Sequence, residues 1–329
     1  MNQVLFGVEE VVGMIKIGKS LLLAGDEALL KQLPRGSWIG GTIPYFMGER
    51  GGEFSKSKIY VITLPENVSG QSIRFYDEAN IEKIYSEAPE QGFSVVIIPA
   101  ASRTHQAFSL KAPTFPQFAA SPLIGWISGV DLKDLGKVTP KVFDGKTGRV
   151  SDNAAVVMDA SLPKDKAAII GIVNIFEQGS GDTLTFAQDG FSASEVMVNG
   201  KKQSFVEYLL ANKIDTRLPL VADSYGAMVN TSFQLVDKAG NHVDFYAPVF
   251  KGVEYKLAKP VLNYVESFEK VTSAKLGDRM VFACNCILNY LYSELEGKKT
   301  GNVTGPVTFG EVAYQLLNQT MAYMTIESI

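Results

Sequence analysis

The sequence is poor in the residues that carry most metal and acid–base chemistry. Its 329 residues include only two histidines, His105 and His242, and two cysteines, Cys284 and Cys286. Cysteines one residue apart rarely reach disulfide geometry without strain, and two of them make no secreted disulfide scaffold. The histidines are far apart with no carboxylate at metal-ligand spacing, so no metal site is expected. Long hydrophobic runs are also missing. Residues 93–101 and 167–176 are the longest, well short of the roughly 20 residues of a spanning helix. The start carries no basic cluster, and Glu9 and Glu10 interrupt its apolar run, which excludes a signal-peptide pattern. Positive charge is not in excess either: 31 Lys and Arg face 35 Asp and Glu, a formal net charge of −4. Such a chain has no long-range attraction for a phosphate backbone. These absences predict a cytoplasmic protein that engages neither membrane nor nucleic acid.

What is present is a large core, since 46% of residues are hydrophobic. Apolar residues at helical spacing from Val8 to Ile15, then Leu21 to Leu33, predict two helices broken near Gly18 or Gly25, with Asp26 capping the second. Strand-like segments follow at 38–47, 58–64 and 93–99, with a polar helix near 78–88. Residues 107–122 hold three prolines and three phenylalanines and read as an irregular covering loop. Further strands are expected at 123–130, 153–158 and 167–176. Hairpins are expected from 169–176 to 184–187 and from 232–236 to 243–247, and helices at 204–212, 260–273 and 288–296. Residues 280–284 read as a strand, and a glycine-rich turn over 297–305 follows. Strands grouped in hairpins argue for an α+β fold with mixed, largely antiparallel sheets flanked by helices, rather than a doubly wound nucleotide fold.

Motifs that signal chemistry are scarce. Residues 13–20, Gly-Met-Ile-Lys-Ile-Gly-Lys-Ser, satisfy the phosphate-loop pattern letter for letter. That loop needs a buried strand before its first glycine, and here a helical apolar stripe precedes it. A glycine break between helices is the better reading. No nucleophile elbow, zinc-protease helix or dinucleotide fingerprint occurs. His105 follows a strong apolar strand and suits a ligand contact or a haem axial position, whereas His242 suits an exposed turn. Cys284 and Asn285 close an apolar strand that feeds a helix, a common ligand position.

Short motifs through the chain resemble the FIST sensory domain. At the C-terminal end these are the apolar strand into Cys284, the Gly305 to Val312 turn containing Gly310-Glu311, and Asn318 with Thr320. Earlier, Gly40-Gly41-Thr42, residues 123–126 and residues 191–200 fit the same pattern more loosely. The family's arginine shortly after the cysteine is missing here. The resemblance implies two joined lobes, residues 1–190 and 191–329, with an amino-acid-like small ligand in the cleft between them. It also implies a sensory module that, lacking an output module of its own, signals through a separately encoded partner; haem is a cofactor in some members.

The expectation is therefore a standalone small-ligand-binding sensory protein, without catalytic residues and without an obligatory cofactor. Its ligand contacts are placed at Gly40, Gly41, Thr42, Cys284, Asn285, Gly310, Glu311 and Asn318, with His105 as a further ligand or haem contact. Two alternatives stand beside it. One is a cysteine- or carboxylate-based hydrolase or transferase using the same cleft. The other is an oligomeric interaction protein that packs its aromatic segment 108–118 on a partner.

Overall fold

A computed structural model describes residues 3–224, 227–273 and 280–329. The chain folds as α+β, and among the described residues the strands gather in five sheets with six short α-helices beside them. Most strand pairs are antiparallel. Among the described residues three are parallel, and each is a strand, a short helix and a second strand: Leu21–Gly25 with Trp38–Thr42, Gly92–Pro99 with Leu123–Ser128, and Met280–Cys286 with Gly305–Thr308. Parallel neighbours need such a crossover, which fixes where their carboxyl ends and following loops lie.

Sequence periodicity reads the first of these units only in part. Val8–Lys16 is a helix burying Val11 and Ile15, and Asp26 Oδ1 caps the next helix by accepting from the Ala28 amide at 2.9 Å. Between them, Leu21–Gly25 is a strand, not helix. It is buried along its whole length between Trp38–Thr42 and Ile59–Thr63. A strand covered on both faces shows a continuous apolar run, which a short window cannot tell from a helix face. The phosphate-loop letters fall on the end of the first helix and the turn after it, where Gly18 takes φ +80°.

Other departures have similar causes. The polar helix expected at 78–88 is a single 3-10 turn, Ile81–Ile84, while Ser69–Tyr76 is an unforeseen strand. The broken segment 107–122 begins inside a helix, Arg103–Lys111, before its prolines end it. The hairpin expected from 169–176 does not form. Lys166–Val173 pairs along its full length with Met321–Ser328, and Leu184–Thr185 pairs with Glu195–Val198. The second hairpin, Phe233–Asp237 with His242–Val249, forms as read.

Among the described residues, strands from both sides of residue 190 share three of the sheets. Glu311–Ala313 extends the sheet of Leu123–Ser128, and Gly305–Thr308 pairs with Tyr45–Gly48. The main core spans these sheets and includes Trp126 stacked on Phe282. Residues 184–257 build a second, aromatic core in which Phe186, Phe205, Phe233 and Phe245 meet in tilted and edge contacts. Among the described residues no helix is long and apolar enough to cross a membrane.

Candidate functional site

The carboxyl ends of the three parallel units converge on the segment 129–141. Gly129 donates its amide to the Thr42 carbonyl at 2.7 Å, and the Lys141 amide donates to Thr42 Oγ1 at 2.9 Å. Beyond this segment lies a cavity of about 530 Å³, walled by the chain leaving Pro99 (Ala100 to Gln106), the segment from Val130 to Pro140, and Cys286 to Leu291. Phe191, Phe245 and Tyr246, from the three-stranded sheet of the second core, close the remaining side. Carboxyl ends of parallel strands are where α/β sheets place ligands, because the loops there are free to form a pocket while the strands stay rigid.

His105 stands in this wall. Ser102 caps its helix by accepting from the His105 amide at 3.0 Å, which turns the imidazole toward the strand end. Nδ1 accepts from the Ala101 amide at 3.3 Å, while Nε2 is shut off from water and has no hydrogen-bond partner among the described residues. Burial lowers the pKa from 6.5 to about 4, so the ring is neutral at physiological pH. Phe191 packs beside it with ring centroids 6.2 Å apart.

Cys286 forms part of the opposite wall, at the end of its strand. Burial, and after it the nearby Glu311 carboxyl, push its thiol pKa well above the ordinary value. A thiol held in that form is a poor nucleophile. Cys284, two residues earlier, lies inside, donating to the Gly125 carbonyl at 3.4 Å. Its pKa is likewise raised by burial.

Glu311 is fully buried in the closed interior beside Cys286. Its Oε2 accepts from Thr320 Oγ1 at 2.7 Å and from the Thr320 amide at 3.3 Å. Oε1 makes no hydrogen bond among the described residues, and the Cys286 thiol lies close enough to interact with the carboxyl. Burial without a cation raises the pKa to about 8, so the side chain is a neutral acid at pH 7. Asn285 and Asn289 are bonded to each other at 2.9 Å, and Asn289 also donates to the Thr320 carbonyl, which ties this cluster together.

The residues singled out in the sequence therefore divide. His105 and Asn318 line the cavity, and Cys286, the immediate neighbour of Asn285, lines it too. Asn318 has its polar atoms engaged by the protein. With the amide turned to satisfy both ends, Nδ2 donates to the Asn230 carbonyl and Ser232 Oγ, and Oδ1 accepts from the Ala247 amide. Cys284, Asn285 and Glu311 form the interior behind the wall, and Gly310 is a turn at φ +151° between two strands. Thr42 borders a separate pocket of about 40 Å³ across the 129–139 segment. Gly40 and Gly41 are buried strand residues, and a Cβ on Gly41 would fall 2.6 Å from Ile97. Sequence reasoning passed over Phe191, Phe245, Leu288 and the segment 130–140. One signal was available there: Leu135 and Val138 are apolar residues beside Lys133, Asp134 and Lys137, and both line the cavity while remaining exposed.

No group of three or more metal-ligating side chains is found among the described residues. No curated protein matches the chain. A family model does match, over residues 6–327, and it is not that of the FIST sensory domain. The resemblance to that domain is thereby overturned. The motifs that carried it have local explanations: Gly310 meets a backbone requirement, and Asn318 and Thr320 hold neighbouring segments together. By that match over nearly its whole length, the chain belongs to DUF6976, a family of unknown function.

Proposed function

We propose that this protein binds a small molecule in the cavity between His105, Cys286 and the 130–140 segment. The observation that carries this reading is a cavity of about 530 Å³ at the ends of parallel strands, lined by His105, Cys286, Asn318 and a majority of apolar side chains. Small-molecule sites are clefts of roughly 300–1,000 Å³, mostly apolar, with a few placed polar groups. Their position at strand ends speaks for the same reading. A cysteine nucleophile in this cavity is disfavoured, because burial and Glu311 hold the Cys286 thiol protonated.

The test is to purify the protein from cells grown in rich medium, denature it and identify released small molecules by mass spectrometry. Leu291→Trp, at an exposed position of the cavity wall, serves as the control. A metabolite released in stoichiometric amount by the wild type and lost from the variant supports the site. Equal release from both places the ligand elsewhere. If nothing is released, a thermal-shift screen of metabolites on both proteins decides, and a screen without any shift specific to the wild type refutes the reading.

A further inference from the structure

We infer, on the reading that the cavity binds a small molecule, that residues 132–139 form a strap that closes over the occupied cavity and buries Leu135 and Val138 on the ligand. Three observations lead there. The first is how the segment is held. Its ends are clamped: the Gly129 and Lys141 amides donate to Thr42, and the Leu132 amide donates to the Tyr45 hydroxyl at 3.2 Å. Between the clamps the backbone bonds stay within the segment. The Asp134 amide donates to the Asp131 carbonyl at 2.8 Å, and the Lys137 and Val138 amides donate to the Asp134 carbonyl at 3.0 Å each. Among the described residues, the one hydrogen bond or ion pair from 133–139 to the rest of the protein is that of Asp134 with Lys56, at 3.1 Å and exposed.

The second observation is space on both faces. Leu135 and Gly136 line the cavity of about 530 Å³, Asp131 and Asp134 line the pocket of about 40 Å³ behind, and Val138 and Thr139 line both. The segment is a partition between two hollows, able to move as a unit that keeps its own hydrogen bonds. The third is apolar surface left in water. Leu135 and Val138 are 51% and 43% exposed and pack in none of the hydrophobic cores, although both line the cavity. Movement toward a bound molecule would remove that surface from water, which favours closure. Asp134 and Lys56 stand on the small-pocket face, so their pair holds the strap back and closure breaks it. An exposed pair is weak enough to yield.

Nile red, an uncharged apolar dye that fluoresces on leaving water, is the probe. Asp134→Asn removes the restraining pair and leaves Lys56 on Asp131 at 2.9 Å. It should bind the dye about two- to fivefold more tightly, through slower dissociation. Leu135→Ser with Val138→Ser should bind it about tenfold more weakly. Saturating dye should slow hydrogen exchange of the 135–138 amides several-fold in the wild type and not in the double-serine variant. Circular dichroism confirms that the variants are folded. A fixed wall would show the serine loss alone. Unchanged or weaker binding by Asp134→Asn therefore overturns the inference, as does strap exchange indifferent to the dye. Leu291→Trp separates this failure from failure of the cavity reading. If it weakens dye binding while either strap result is negative, the cavity stands and the strap is fixed. If the wild type takes up no dye, or Leu291→Trp binds it unchanged, both readings fall.

Discussion

The wall around His105 and the interior around Glu311 present the same feature in opposite settings. Each holds a fully desolvated ionisable side chain, neutral at pH 7, with one polar atom lacking a protein partner. At His105 the ring belongs to a residue of the cavity wall, although Nε2 itself has no accessible surface. At Glu311 the carboxyl is sealed behind the wall with its other oxygen on Thr320, and it serves the seam between Met280–Cys286 and the C-terminal strands. Burial alone therefore does not separate a binding group from a structural one. Position relative to the cavity does, and pH separates the two experimentally because their linkages have opposite signs.

Glu311 should give the larger effect. Its pKa rises from 4.5 to about 8 on folding, so the folded state keeps a proton that the unfolded state releases. The titratable side chains around it, Cys284, Cys286 and Tyr264, have raised pKa values and stay neutral across this window. The contribution of Glu311 to stability should then fall as pH rises from 4.5 to 8, by about 1.4 kcal/mol per unit and about 5 kcal/mol in all. In urea unfolding the wild type should lose stability from pH 6.5 to 8, above the window in which His105 opposes it, and Glu311→Gln should remove that fall. An unchanged slope in the variant would sink the sealed-acid description.

His105 should contribute the opposite slope over a shorter range. Its pKa falls from 6.5 to about 4, so the unfolded state takes up a proton that the folded state refuses. The stability it confers is fully present above pH 6.5 and lost as pH falls toward 4, about 3 kcal/mol in all. Between pH 4.5 and 6.5 the two residues oppose one another, so neither is visible in the wild type there. His105→Leu should expose the Glu311 slope in that interval, and the double variant should be flat.

Asn318 tests the boundary between the two regions. Its amide joins the C-terminal segment to Asn230, Ser232 and Ala247, on strands and a connection next to the second core. Asn318→Ala should cost about 1–3 kcal/mol by leaving these partners buried and unpaired. It should weaken cavity ligands less than Leu291→Trp does. A loss of binding with unchanged stability would move Asn318 from the structural side to the ligand-binding side.

How far the sequence revealed this site depended on the kind of signal. Asp26 as a cap, the 233–249 hairpin and the α+β class were legible because capping, turn residues and strand clustering act locally. Leu21–Gly25 was misread because a strand buried on both faces has no alternation to show. The pairing of Lys166–Val173 with the C-terminal strand was invisible, since the partner lies some 150 residues away and turn chemistry points to the nearer one. His105 stood out by its place after a strand, but Phe191 and Phe245 are ordinary core-type residues until the sheets bring them to the cavity. Family-like motifs misled for the same reason: a glycine at φ +151° and an asparagine holding a seam are demands of local geometry, and unrelated proteins can share them.

The smallest expected effect is also the closest comparison, because it sets two adjacent cysteines against each other. Cys284 and Cys286 point to the same face of one strand, two residues apart. Both are buried with raised pKa values, so both should react slowly with iodoacetamide at pH 7 and fast in urea. Only Cys286 lines the cavity, whereas Cys284 is bonded to the Gly125 carbonyl in the interior. Labelling of the native protein, followed by peptide mass spectrometry, should favour Cys286 by a few-fold, and a compound filling the cavity should erase that margin. Faster labelling of Cys284 would require the interior to open before the cavity does, which would reverse the assignment of wall and sealed cluster.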